Sequence, residues 1–230
     1  MKSYAKRIDA RMDLMYENIL FEANTLHHIE FPEIPEASFY KSLERLCKSE
    51  RLVHLAKGLY YKPKKTRFGI MPISDDEIVS HYVSNGRGVI VGYHMYNQKG
   101  ITTQVGKHID VLSKAITGKK KTAGNVRVQQ ADLPFTPKTI PVIETLEILQ
   151  NYNKIEDVNK KGLSSYMIDF ADRYSDSAAN EILQRRKYKK STIAFMKRLL
   201  DYQKVPNSLE QHLSSLSHYA IPDAEEIYEY

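Results

Sequence analysis

The sequence predicts an α+β protein in two parts: a small basic N-terminal unit of helices closed by a hairpin, then a larger mixed α/β unit ending in a bundle of helices. Three observations point there. Residues 1–70 alternate amphipathic stretches with prolines and finish in two β-prone runs around a glycine. Strand-like runs recur between residues 87 and 130, and after Pro137 the apolar period is helical. Charge divides the chain at the same place: within a formal charge of +6 over 230 residues, residues 1–70 carry a net +4 and residues 151–230 cancel.

Composition narrows the class. Apolar residues make up 42% and charged residues 27%, the balance of a globular chain and not of a disordered one. No apolar run approaches the ~18 residues that cross a bilayer. The start, Met1-Lys2-Ser3-Tyr4-Ala5-Lys6-Arg7, is polar with no hydrophobic stretch behind it, so a cytoplasmic protein with no membrane partner is expected. The lone Cys47 forms no internal disulfide.

Each element has its own warrant. Tyr4, Ile8, Met12, Met15, Ile19 and Leu20 recur at three- and four-residue steps, which predicts a helix over 4–23. Pro32 and Pro35 break it, and Pro35 suits the first turn of a second helix reaching about Ser49. Phe39, Leu43, Leu46 and Cys47 line one face of that helix, and Ser38, Lys41, Ser42, Arg45 and Lys48 line the other. Leu52–Leu55 and Leu59–Lys62 then form a hairpin around Ala56-Lys57-Gly58, and a basic tail, Lys64-Lys65-Thr66-Arg67, follows Pro63.

A boundary falls at about residue 70, with a second unit over 73–230. Ser74-Asp75-Asp76-Glu77 opens a helix with acidic residues in its first turn. Strands are expected over 87–93, 107–112 and 126–130, with Gly118-Lys119-Lys120-Lys121 as a turn between the last two. Helices follow from Ile140 to Gln150 and over 163–174, 178–187 and 192–202, the last capped by Ser191 or Thr192. The acidic tail from Pro222 to Tyr230 is expected to fray.

Function is most legible between Lys41 and Arg67. Nine basic residues stand there against Glu44 and Glu50, a net +7 in 27 residues, and a local field of that sign attracts a polyanion. A helix, a Pro-broken short element, a basic amphipathic helix and a hairpin, in that order, describe a winged helix-turn-helix, whose second helix enters the DNA major groove. Ser38, Lys41, Ser42 and Arg45 are then expected at base edges and nearby phosphates. Lys48, Lys57, Lys62, Lys64, Lys65 and Arg67 are expected on the backbone, where they position the protein without reading sequence.

The run from Ser38 to Pro63 resembles the N-terminal winged helix of AbiEi-like antitoxins, regulators of type IV (abortive-infection) toxin–antitoxin systems. It shares a Leu-x-x-Leu helix, an apolar strand, a basic-Gly turn and an aromatic strand closed by Pro. Lys99-Gly100-Ile101-Thr102-Thr103-Gln104-Val105 resembles a second segment of that family, and together the two span residues 31–130. Arg51 departs from the pattern, standing where the family's turn holds a Gly. The resemblance implies a repressor that binds inverted repeats in its own promoter. It also implies a C-terminal domain that counters a co-encoded nucleotidyltransferase-like toxin. A ligand-responsive regulator is the alternative.

Other features carry less. Gly86, Gly88 and Gly92 enter an apparent strand and so do not make a phosphate loop. His27-His28 lacks further ligands at zinc spacing. Arg185-Arg186-Lys187-Tyr188-Lys189-Lys190 reads as a helix end, with Tyr188 available to stack on a partner. Cys47 reads as packed core. No nucleophile–base pair or metal-spaced carboxylates are present, so no catalytic residue, metal or cofactor is expected.

Overall fold

A computed structural model describes residues 4–214 and 217–229 and has α+β architecture. The chain divides into two compact units: one runs up to His81 and takes in Thr122–Val126, and the other comprises Tyr82–Lys121 with everything from Arg127. Among the described residues no helix is long and apolar enough to cross a membrane.

The first unit begins with α1 (Tyr4–Asp13), β1 (Leu20–Glu22), α2 (Ala23–Glu30) and α3 (Glu36–Lys48). The single helix expected over 4–23 is therefore three elements. Strand pairing overrides the apolar period. Asn18 turns the chain with φ +56°, its N–H donates to the Lys62 carbonyl at 2.8 Å, and Leu20–Glu22 then pairs with a later strand. That strand, β3 (Leu59–Tyr61), lies antiparallel to both β1 and β2 (Val53–Ala56), in the order β1-β3-β2. Gly58 makes the β2–β3 turn at φ +70°, as a tight hairpin requires.

Lys64-Lys65-Thr66, read from the sequence as a tail, is instead β4 (Lys64–Thr66) of a second hairpin with β5 (Gly69–Met71). The unit also runs past residue 70. The Ile73 N–H meets the Tyr61 hydroxyl at 3.4 Å. Helix α4 (Asp75–Val83) starts on a reciprocal Ser74–Glu77 capping box, with the Ser74 N–H donating to Glu77 at 2.7 Å and the Glu77 N–H to Ser74 Oγ at 3.2 Å.

Ile8, Met12, Leu26, Phe31, Ile34, Phe39, Leu43, Leu46 and Leu52 form the core between α1, α2 and α3. Buried His27 belongs to it: Nε2 lies 2.7 Å from the Ile34 carbonyl and the ring packs 4.9 Å from Phe39. That bond fixes the loop that aims α3. Helix α3 closes in a Schellman turn, with the Arg51 N–H donating to the Leu46 carbonyl at 2.9 Å and the Glu50 N–H to that of Cys47 at 3.0 Å. Glu50 sits at φ +55° there, a conformation that suits Gly.

Beyond the first helices and hairpins, β6 (Gly88–Val91), β7 (Ile109–Ser113), β8 (Lys120–Ala123) and β9 (Val126–Gln130) form one sheet in the order β6-β7-β9-β8. Tyr93, expected in a strand, begins the short helix α5 (Tyr93–Gln98). Lys120 and Lys121 of the expected turn at 118–121 begin strand β8, and the reversal into β9 falls at Gly124, φ +56°. The helices are α6 (Thr139–Asn151), α7 (Lys160–Asp172), α8 (Asp176–Arg185), α9 (Lys190–Tyr202) and α10 (Glu225–Tyr228).

Helix α6 buries Val142, Ile143, Leu146, Ile148 and Leu149 and packs against α7, α8 and α9. Neither Ser191 nor Thr192 caps α9; Lys189 holds that position without a side-chain bond. The tail does not fray as expected. Ala224 and Ile227 are buried, the Tyr228 ring stacks on Tyr202 at 5.1 Å, and the Tyr202 hydroxyl donates to Glu229 at 2.6 Å. Tyr230 lies outside the described residues.

Candidate nucleic-acid interface

Helix α3 forms because its apolar residues recur on one stripe and Pro35 supplies the carbonyl that starts it, accepting from the Ser38 and Phe39 N–H groups at 2.9 and 3.0 Å. Burying Phe39, Leu43 and Leu46 leaves Ser38 and Lys41 fully outward. Ser42, expected at a base edge, is buried instead, and its hydroxyl donates to the Ser38 carbonyl at 3.0 Å. One residue of helical rotation separates it from Lys41, enough to turn it into the core.

The cations toward the end of α3 are already engaged. Arg45 donates to Asp9 of α1 at 3.0 Å, and Arg51 reaches Asp13 at 2.6 Å and Asp9 at 3.6 Å. The hydrogen bond with Asp13 holds the Arg51 pKa above its ordinary value. Lys48 pairs with Glu44 at 2.7 Å. Arg45 and Lys48 remain exposed, but each brings a carboxylate with it.

At the hairpin, the Ala23 N–H donates to the Gly58 carbonyl at 2.8 Å and clamps the β2–β3 turn to the start of α2. The neighbouring Tyr40 of α3 has its pKa raised by burial, then by Glu36 and Glu22. Glu22 also lies beside Gly58. Lys57 is exposed at that turn. Phe21, Tyr60 and His54 stack across the three strands, with centroids 6.0 and 4.6 Å apart, and stiffen the hairpin.

Lys62, expected on the DNA backbone, is half-buried and turned to its own chain. Its ammonium donates to the Asp13 and Met15 carbonyls at 2.7 and 3.1 Å and pins the chain after α1. Lys64, Lys65 and Arg67 are exposed on the second hairpin, with the Arg67 guanidinium 4.6 Å from the Phe68 ring. Of the cations expected at DNA, Lys41, Lys57, Lys64, Lys65 and Arg67 are thus exposed, as is the Ser38 side chain.

The family signature of DUF6088, a family of unknown function, matches residues 18–149, more than half of the chain. The chain belongs to this family. The DUF6088 region opens just before β1 and ends within α6, so it contains α3, both hairpins and the whole four-stranded sheet. No curated protein matches the sequence.

Within the DUF6088 region, Lys99 to Val105 acts as an internal staple. Thr102 Oγ1 donates to the Glu156 carbonyl at 2.6 Å, the Asn159 N–H donates to that of Ile101 at 2.7 Å, and Gln104 bonds Asp157. A Cβ on Gly162 would lie 1.9 Å from the Gly100 carbonyl, so the approach of α7 to this loop demands glycine. Gly88 is equally constrained: its Cβ would fall 2.5 Å from the Leu112 carbonyl, which makes it a packing residue of β6.

Two carboxylates on α6 are hidden and paired. Glu144 binds Lys99 at 2.9 Å, and Glu147 binds Arg186 at 3.2 Å and the Tyr188 hydroxyl at 3.0 Å. Tyr188 is therefore buried and unable to stack on a partner, which corrects that reading of the basic run. Burial, followed by the Glu147 charge, pushes its pKa far up. Cys47 is half-buried against the core of the first unit, and burial raises its thiol pKa. Among the described residues no three His, Cys, Asp or Glu side chains are grouped to hold a metal.

Proposed function

We propose that the first unit is a winged helix-turn-helix, with α2 and α3 as its helical pair and β2–β3 as its wing. In this reading the chain is a cytoplasmic transcriptional autorepressor and the antitoxin of a type IV toxin–antitoxin system. The observation that carries the DNA reading is the order α1-β1-α2-α3-β2-β3 with sheet order β1-β3-β2, together with the exposure of Lys41 on α3 and of Lys57 at the β2–β3 turn. A helix that is apolar behind and cationic in front fits the major groove, and a wing beside it fits the flanking backbone. Ser38 and Lys41 read base edges in this arrangement, and Lys57, Lys64, Lys65 and Arg67 hold phosphates. The toxin-countering role of the second unit rests on the likeness of Ser38–Pro63 and Lys99–Val105 to AbiEi-like antitoxins.

Two assays in cells test the two halves. A reporter driven by the gene's own promoter should be repressed by the intact chain and released by Lys41→Ala with Lys57→Ala. Co-expression with the product of the adjacent gene should restore growth in either form, because neutralisation does not need the promoter. Equal repression by both forms would overturn the DNA reading. Unrelieved toxicity, or a harmless neighbour, would overturn the antitoxin reading.

A further inference from the structure

The β4–β5 hairpin contributes no buried residue of its own, yet it is braced at its base and at its tip. Buried Pro63 and the Lys64 N–H bond to Asn18 Oδ1 at 3.3 Å anchor its base. Thr66 braces its tip, accepting from the Phe68 N–H at 3.2 Å and donating to the Gly69 carbonyl at 3.0 Å. Gly69, at φ +110°, makes the reversal possible. Phe68 is left 85% exposed at the end. Its ring carries the Arg67 guanidinium, and Lys64 and Lys65 stand exposed below it. The hairpin from Lys64 to Met71 contains no acidic residue.

We propose that this hairpin arm enters the DNA minor groove beside the α3 site, with Arg67 reaching past the phosphates it neutralises into the groove and Phe68 wedged against a base step; the proposal rests on the winged-helix reading above. The charge decides the occupant, since an arm with three cations and no carboxylate suits a polyanion better than an apolar protein face. The dimensions also fit. Three residues of strand carry the tip ~10 Å from its base, and the minor groove is ~7.5 Å deep. Arginine with an adjoining apolar wedge is the pairing by which proteins unstack and bend DNA from that side. Insertion also gives Phe68, 85% exposed in the free protein, a buried state.

The test uses the full chain on its own upstream DNA, with hydroxyl-radical footprinting and a bend measured by energy transfer between labelled duplex ends. Wild type should protect a minor-groove flank outside the α3 footprint and bend the duplex by ~20° or more. Phe68→Ala with Arg67→Ala should remove the flank and the bend and weaken binding roughly five- to a hundredfold, the range of one aromatic–base stack. The sequence preference set by α3 should survive. Both side chains are exposed, so unchanged circular dichroism should accompany the loss.

A wild-type footprint confined to α3, or a double variant with unaltered bend and affinity, would overturn the arm and leave the winged-helix reading standing. If the variant changed only self-association, the arm would be a protein contact and the proposal wrong. Absence of any DNA binding by wild type would overturn both.

Discussion

The salt dependence of DNA binding should be about half as steep as the sequence suggests. Nine basic residues lie between Lys41 and Arg67. If all neutralised phosphates, log K would fall against log salt with a slope of about −8, at ~0.9 per contact. The structure withdraws four of them. Arg45 and Arg51 carry Asp9 and Asp13 with them, Lys48 carries Glu44, and Lys62 is spent on two backbone carbonyls. A cation that brings its own carboxylate to the duplex adds almost nothing to net neutralisation. The five remaining cations give a slope of about −4.5, so raising salt from 50 to 200 mM should weaken binding ~500-fold instead of approaching 10⁵-fold.

Fluorescence anisotropy on a labelled duplex, titrated at four or five salt concentrations, reads this slope. Asp9→Asn supplies the control. It frees Arg45 and removes one of the two partners of Arg51, and should steepen the slope by about one unit. The exposed Arg45–Asp9 pair contributes under ~1 kcal/mol, so the fold should tolerate the change. A wild-type slope near −8, or no response to Asp9→Asn, would refute the assignment of free and engaged cations.

Three predictions concern stability. Glu147→Ala strands Arg186 and the Tyr188 hydroxyl in a mostly hidden site, and should cost about 3 kcal/mol in urea unfolding, with a Tm lower by ~6–12 °C; a loss under ~1 kcal/mol would mean the pair is dispensable. Glu50→Gly relieves the left-handed backbone at the end of α3 and should raise stability by about 0.5 kcal/mol after the extra unfolded-state entropy of Gly, checked by the urea midpoint, whereas any loss would contradict the strain. Alkaline pH should destabilise the second unit: burial raises Tyr96, Tyr166, Tyr174 and Tyr188, and pushes Tyr228 up to about 12. The unfolded chain releases these protons near pH 10 while the folded chain keeps them, so stability holds below ~10 and falls above it; a flat urea midpoint from pH 9 to 11 would contradict this.

Helix α3 and the β2–β3 hairpin were legible because their signals are local: a clean apolar stripe, a proline before it, and a glycine between β-prone runs. The segment from Asp13 to Glu30 was not, because Leu20–Glu22 becomes a strand only by pairing with β3, some forty residues away. The second hairpin escaped for a related reason. Its strands are three residues each, polar and exposed, and have no buried face to impose alternation.

The candidate site divides along the same line. Exposure of Ser38, Lys41 and Lys57 followed from helical period and turn position. The inward turn of Ser42 needed one residue of angular precision, and the capture of Arg45 and Lys62 depended on α1, whose neighbours no local pattern names. The tail from Pro222 looked too acidic to order, yet Arg198 gathers the Ile221 and Pro222 carbonyls and Asp223 at 2.9–3.1 Å and brings Ile227 into the core.

The most direct test of DNA recognition by α3 and its wing is competition between the gene's own upstream duplex and a shuffled duplex of equal length and base content, measured at one salt concentration. Wild type should prefer the upstream duplex by at least ~10³-fold, and Lys41→Ala should lower that ratio through the specific complex alone, by about 1–3 kcal/mol. Equal affinity for the two duplexes, or a ratio indifferent to Lys41, would contradict it.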